Sequence, residues 1–328
     1  MSTLTVAAVA TGHQQRHGWW WKALLTGLVL WGVTVWVTAV TLNTNLIPTL
    51  ILIGSFLVPF CVVLFVLERI IGNITTLQVI LAFVVGGICG VLGASLLEAN
   101  LPATIFTYVG VGFIEEFVKG VILVVIGWNA VPKTARQGAL LGAAVGAGFA
   151  AFESAGYAFN SVITSTGFDL ATMLQTEALR AILTPVGHVL WTAILGAALF
   201  GAARGHTHYR FRLSIILAYV GVALLHALWD SMSGITSILA LLFTGTSIED
   251  LAFGFIPAGA EQAAAAVGTV LYVVGSAITA ILGIIVLWLM LRHHAKAVPA
   301  GPAMNPVAGF PGNTANAPTV AVNPTEHP

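Results

Sequence analysis

Residues 103–128 read ATIFTYVGVGFIEEFVKGVILVVIGW. Apart from Glu115, Glu116 and Lys119 the run is apolar or small. As a helix rising 1.5 Å per residue it is long enough to cross ~30 Å of hydrocarbon. A charged side chain at the bilayer centre costs about 2.5–3.5 kcal/mol on insertion scales, so the three must face other helices rather than lipid. The rest of the chain agrees with a membrane bundle. Its 328 residues are 58% hydrophobic and only 7% charged, against about 25% for a soluble domain, and the mean hydropathy is +0.97. The formal net charge is zero, which leaves no basic surface for nucleic acid.

Apolar runs of spanning length recur at about 19–41, 48–67, 75–97, 103–128, 137–160, 178–203, 213–233 and 267–291. They predict an all-α polytopic bundle of about eight transmembrane helices. The first run is too long for a signal-peptide core and reads as an uncleaved span. Residues 161–177 and 234–266 read as loops on one side, the second with a re-entrant or interfacial piece. Arg16, Lys22, Arg69, Lys133, Arg136, Arg204, Arg210, Arg212, Arg292 and Lys296 all fall on the other side. The positive-inside rule makes that side cytoplasmic and puts both termini there. Glu98, Asp169, Glu177, Glu249, Asp250 and Glu261 fall outside, with Arg180 as the one cation near them. The expected organisation is a cytoplasmic segment 1–18, a membrane domain 19–292 and a disordered Pro-, Ala- and Asn-rich cytoplasmic tail 293–328. Cys61 and Cys89 lie in apolar runs outside any metal or redox motif.

The ionisable residues left inside spans form local patterns. Lys119 follows Glu115 by four residues and Glu116 by three, within reach of either on one helix face. Adjacent carboxylates point about 100° apart, so one lysine is not expected to serve both equally; the i,i+4 pair favours Glu115 and leaves Glu116 free. Phe149, Glu153 and Tyr157 share a face, where the Tyr157 hydroxyl can bond the Glu153 carboxylate. Gly138, Gly142 and Gly146 form a small-residue ridge for helix packing. Pro185 permits a kink just before His188. His226 and Asp230 are spaced i,i+4, so the acid can orient the imidazole, or both can hold a metal. Counted from the outer ends of the predicted spans, these groups lie between the midplane and the outer face, with Asp230 about 3 residues in.

Two imidazoles with nearby carboxylates suit peptide hydrolysis in two ways. They can hold Zn²⁺ through His188, His226 and Glu153 with a position open for water, or activate water through glutamate without a metal. A proton- or cation-coupled transporter is the alternative use of the same groups, although no internal repeat is evident.

In this order, the Glu-Glu-x-x-Lys pattern at 115–119, Phe-x-x-x-Glu at 149–153, Pro-x-x-His at 185–188 and His-x-x-x-Asp at 226–230 resemble the PrsW family of bacterial intramembrane proteases. That family is related more distantly to CAAX-processing and bacteriocin-processing membrane proteases. The resemblance covers about 103–233. It implies a multi-pass protease of the bacterial cytoplasmic membrane, cutting a membrane-protein substrate such as a single-span anti-sigma factor near the extracytoplasmic face. Carried onto this chain, it implies Glu115, Glu116, Glu153, His188, His226 and Asp230 as catalytic residues, with the two histidines binding a metal such as zinc or, in a metal-free glutamate mechanism, stabilising the oxyanion. Lys119, Phe149 and Tyr157 are expected to support them from their positions on the same helix faces.

Overall fold

The computed structural model describes residues 18–104, 106–164, 167–257 and 259–296. The expected N-terminal segment as far as residue 17 and the expected tail beyond Lys296 lie outside them, while residues 293–296, expected to begin the disordered tail, continue the last helix. Within them ten α-helices follow one another: α1 (Trp19–Thr41), α2 (Ile47–Leu67), α3 (Thr76–Glu98), α4 (Thr107–Ile126), α5 (Ala135–Val162), α6 (Leu170–Leu183), α7 (His188–Gly201), α8 (Leu213–Phe243), α9 (Ile248–Ala252) and α10 (Ala260–Lys296). The only sheet among the described residues is a two-residue hairpin, Ile163–Thr164 against Gly167–Phe168.

Seven segments are long and apolar enough to cross a membrane, with α6 and α7 counting as one. The 20-residue α4 has the length but carries Glu115, Glu116 and Lys119. It packs between α3 and α8 and turns its charges into the interior of the polytopic helical bundle. On α1 and α10 the exposed residues include the large apolar ones, Val29, Trp36 and Val40 on α1 and Val270, Val273 and Ile278 on α10, as a lipid-facing surface requires.

Local chemistry sets the ends. Thr75 and Gln78 form a capping box at the start of α3, and Asp169 caps α6 through the Thr172 N–H at 3.0 Å. Burial opposes ionisation of Glu68, but the N–H groups of Gly18 and Trp19 at the start of α1, together with Arg69, hold its carboxyl below the usual range. Lys133 is wholly buried beside the α4–α5 turn, and burial pushes its ammonium down; it donates to the carbonyls of Trp128 and Ala130 at 2.7 and 2.8 Å.

The predicted helix at 178–203 is in fact two. Pro185 has no N–H to continue the ladder, so Thr184–Val186 tighten into a 3₁₀ turn, Gly187 leaves helical geometry, and α7 begins at His188. The stretch expected as an outer loop, 161–177, is largely the hairpin and the first half of α6. Residues 234–243, expected to belong to a loop, continue α8, because their apolar residues carry no Pro and only one Gly. Asp230 therefore lies well inside a 31-residue helix rather than near its end.

The core of the bundle is the α5–α7 contact. A Cβ at Gly138 would strike the Gly196 carbonyl, at Gly142 that of Thr192, and at Gly146 that of His188. The glycine ridge lets the two backbones touch, and it brings His188 against α5 one turn from Phe149.

Candidate active site

Four helices converge on one buried cluster. Helix α4 supplies Glu115, Glu116 and Lys119, which are 5%, 0% and 0% exposed. Contrary to the spacing argument, Lys119 serves both carboxylates: its Nζ lies 3.0 Å from Glu115 Oε2 and 2.8 Å from Glu116 Oε1. Rotamer freedom in the long lysine side chain closes the angle that backbone geometry opens. The ammonium also approaches His188 Nδ1 at 3.0 Å and the face of Phe149 at 3.9 Å. Glu116 is therefore not left free on one side. Its Oε1 also bonds His226 Nδ1 at 3.0 Å, while its Oε2 is buried with no partner among the described residues.

His226, on α8, has its other nitrogen 3.6 Å from Glu115 Oε2 and 3.3 Å from Asp230 Oδ2. Its ring stacks on Trp191 of α7, 4.5 Å between centroids and 28° between planes. His188, the first residue of α7, presents Nε2 to Glu153 at 2.8 Å and lies 5.0 Å, ring to ring, from His226. Each imidazole thus has one nitrogen on a carboxylate that fixes its orientation.

Glu153 of α5 is also bound by Arg180 of α6. Arg180 further donates from Nε to Ser154 Oγ at 2.8 Å and lies 4.2 Å from the Tyr157 ring centroid. The expected Tyr157–Glu153 hydrogen bond does not form, because the guanidinium takes that place. A cavity of about 180 Å³ lined by Glu153, Tyr157, Arg180, His188, Asp230 and Tyr272 opens onto the cluster.

Every residue singled out from the sequence meets this cluster or its cavity. Two further residues belong to it that sequence reasoning misses: Arg180, which reads as a loop cation, and Trp191. Arg180 carries a signal, as the one positive charge among the acids of its side, at the start of an apolar run. Trp191 carries none, since one more aromatic in an apolar run bears no mark of what it stacks against.

Donor atoms of Glu115, His188 and His226 all lie within 4.8 Å of one another. Two imidazole nitrogens and a carboxylate oxygen are a zinc donor set. Bonds of about 2.0–2.2 Å around a tetrahedral ion separate its ligands by roughly 3.3–3.6 Å, close to the 3.6 Å and 3.9 Å from Glu115 Oε2 to the two imidazoles. The residues fit a metal ion. Glu153, expected as the third ligand, lies outside this group, since His188 Nε2 and Arg180 already engage it.

The family described as PrsW family intramembrane metalloprotease matches residues 48–258. No curated protein and no solved structure matches the chain. The match spans α2 to α9 and takes in every residue of the cluster, and the chain belongs to the PrsW family of intramembrane metalloproteases.

Proposed function

We propose that this membrane protease hydrolyses a peptide bond of a membrane protein at the α4–α5–α7–α8 cluster, with Glu116 accepting a proton from the attacking water. The observation that carries the reading is Glu116 Oε2, a buried oxygen with no partner among the described residues, beside an ammonium and an imidazole. Buried carboxylate oxygens are almost always satisfied, and a water molecule is the natural donor here. Glu115, His188 and His226 would hold the metal. When bound, the ion lowers the pKa of water and polarises the scissile carbonyl.

The chain's own residues do the rest. Glu153 orients His188 through Nε2 and Glu116 orients His226 through Nδ1, Asp230 lies beside His226 Nε2, Arg180 anchors Glu153, and Lys119 balances the paired carboxylates. Glu116, held through Oε1 by His226 Nδ1 at 3.0 Å, would pass the proton it receives on to the leaving amine. The charge distribution in the connecting segments supports cytoplasmic termini in a bacterial plasma membrane. In that orientation the cavity opens toward the extracytoplasmic half, where a single-span anti-sigma factor is a suitable substrate.

The test compares membrane-protein N-termini by mass spectrometry in the native host, wild type against Glu116→Gln at matched expression. New N-termini next to the span of a single-span protein, absent in the variant, are expected. Identical N-termini under several envelope stresses would overturn the reading in favour of proton- or cation-coupled transport.

A further inference from the structure

Lys119 has an unusual set of partners for a lysine. An ammonium has three N–H donors, and here three acceptors surround it: Glu115 Oε2 at 3.0 Å, Glu116 Oε1 at 2.8 Å and His188 Nδ1 at 3.0 Å. It is wholly buried, with the Phe149 ring 3.9 Å away on a further side. Glu115 and His188 are two of the three residues whose donor atoms are spaced for a metal ion.

We propose that Lys119 is a built-in occupant of the cation position, so that its ammonium and a metal ion compete for Glu115 and His188. This rests on the metalloprotease reading of the same cluster. Glu115 Oε2 and His188 Nδ1 are 3.9 Å apart. An ion bonded to both at about 2.1 Å would lie within about 3 Å of Nζ. Two cations cannot share that space in a low-dielectric interior, nor can both use the same lone pairs. Glu116 lies outside the metal triad, and Phe149 is no ligand at all. Together they leave the ammonium a place to stay when Glu115 and His188 turn to a metal. The lysine therefore keeps the carboxylate pair neutralised while no ion is bound, and it lowers the affinity with which an ion enters. The cluster has two states, one closed on lysine and one on metal.

The experiment is a metal titration of the purified full-length protein in detergent after stripping with chelator. Zn²⁺ is titrated against a chromophoric chelator, and Co²⁺ binding is followed by its visible absorption. Lys119→Met and Lys119→Gln remove the charge and are expected to bind Zn²⁺ more tightly than wild type, on the order of tenfold or more. Adding His188→Ala to either should cancel the gain. Lys119→Gln keeps polar contacts and remains the readable variant if Lys119→Met fails to fold, as judged by its melting transition. Neutral variants that bind Zn²⁺ no tighter than wild type would overturn the competition. Peptide-bond cleavage by wild type in the same preparation reports separately on the protease reading, so the two failures cannot be confused.

Discussion

Two buried carboxylates in this molecule differ in a way that separates the proposed site from a packing contact. Glu116 on α4 and Glu177 on α6 are 0% and 2% exposed, and each has one oxygen without a partner among the described residues. Around Glu116 stand Lys119, His226 and, one residue away, Glu115. Around Glu177 stands the Trp31 indole, donating at 2.9 Å, in an otherwise apolar cavity of about 330 Å³ between α1, α2 and α6. Burial alone makes a carboxylate costly. A cation and an imidazole beside it turn that cost into a group that can hold and pass a proton. Glu177 fixes α1 to α6 and has no cation or imidazole among the residues lining its cavity with which to do chemistry.

Perturbing what supports each carboxylate sharpens the comparison. Among the residues that support the two regions, the largest expected effect comes from Arg180. Arg180→Ala should lower cleavage about 10–100-fold, the usual cost of losing a residue that orients a ligand's partner, with Arg180→Lys recovering part of it. An equal loss in both variants would mean that a cation beside Glu153 does not suffice and that the guanidinium fork, bonded to both Glu153 and Ser154, is required. Next is the frame that carries His188. Gly142→Ala drives a methyl into the Thr192 carbonyl and should destabilise the bundle by about 1–3 kcal/mol. Gly156→Ala, further along the same helix with open space around it, should be neutral or stabilising by up to about 1 kcal/mol. Thermal unfolding in detergent distinguishes the two. The smallest effect belongs to the Glu177 corner. Trp31→Phe removes one hydrogen bond, should cost about 1 kcal/mol, and should leave cleavage within twofold of wild type.

Much of this architecture is legible in the amino-acid sequence. Hydropathy locates the crossings because lipid forbids exposed backbone polar groups, so each run must be helical. The intramembrane acids and histidines stand out as a group because charge inside a span has no structural reason to persist. Three features stay hidden, and each depends on geometry between segments. The break before His188 extends beyond a kink because Gly187 follows Pro185 so closely. Lys119 reaches both glutamates through side-chain torsions that residue spacing does not encode. Arg180 enters the site only because α6 folds back along α5, which no count of charges on either side of a membrane reveals.

The most direct test of the central claim sets the two carboxylates against each other. Glu116→Gln and Glu177→Gln proteins, reconstituted in lipid vesicles with the substrate identified from the host, are assayed for appearance of the new N-terminus. The account predicts a loss of at least about 10²-fold for Glu116→Gln, as for removal of a general base, and a rate within twofold of wild type for Glu177→Gln. Equal rates in the two variants would contradict it and would move the chemistry away from the α4 cluster.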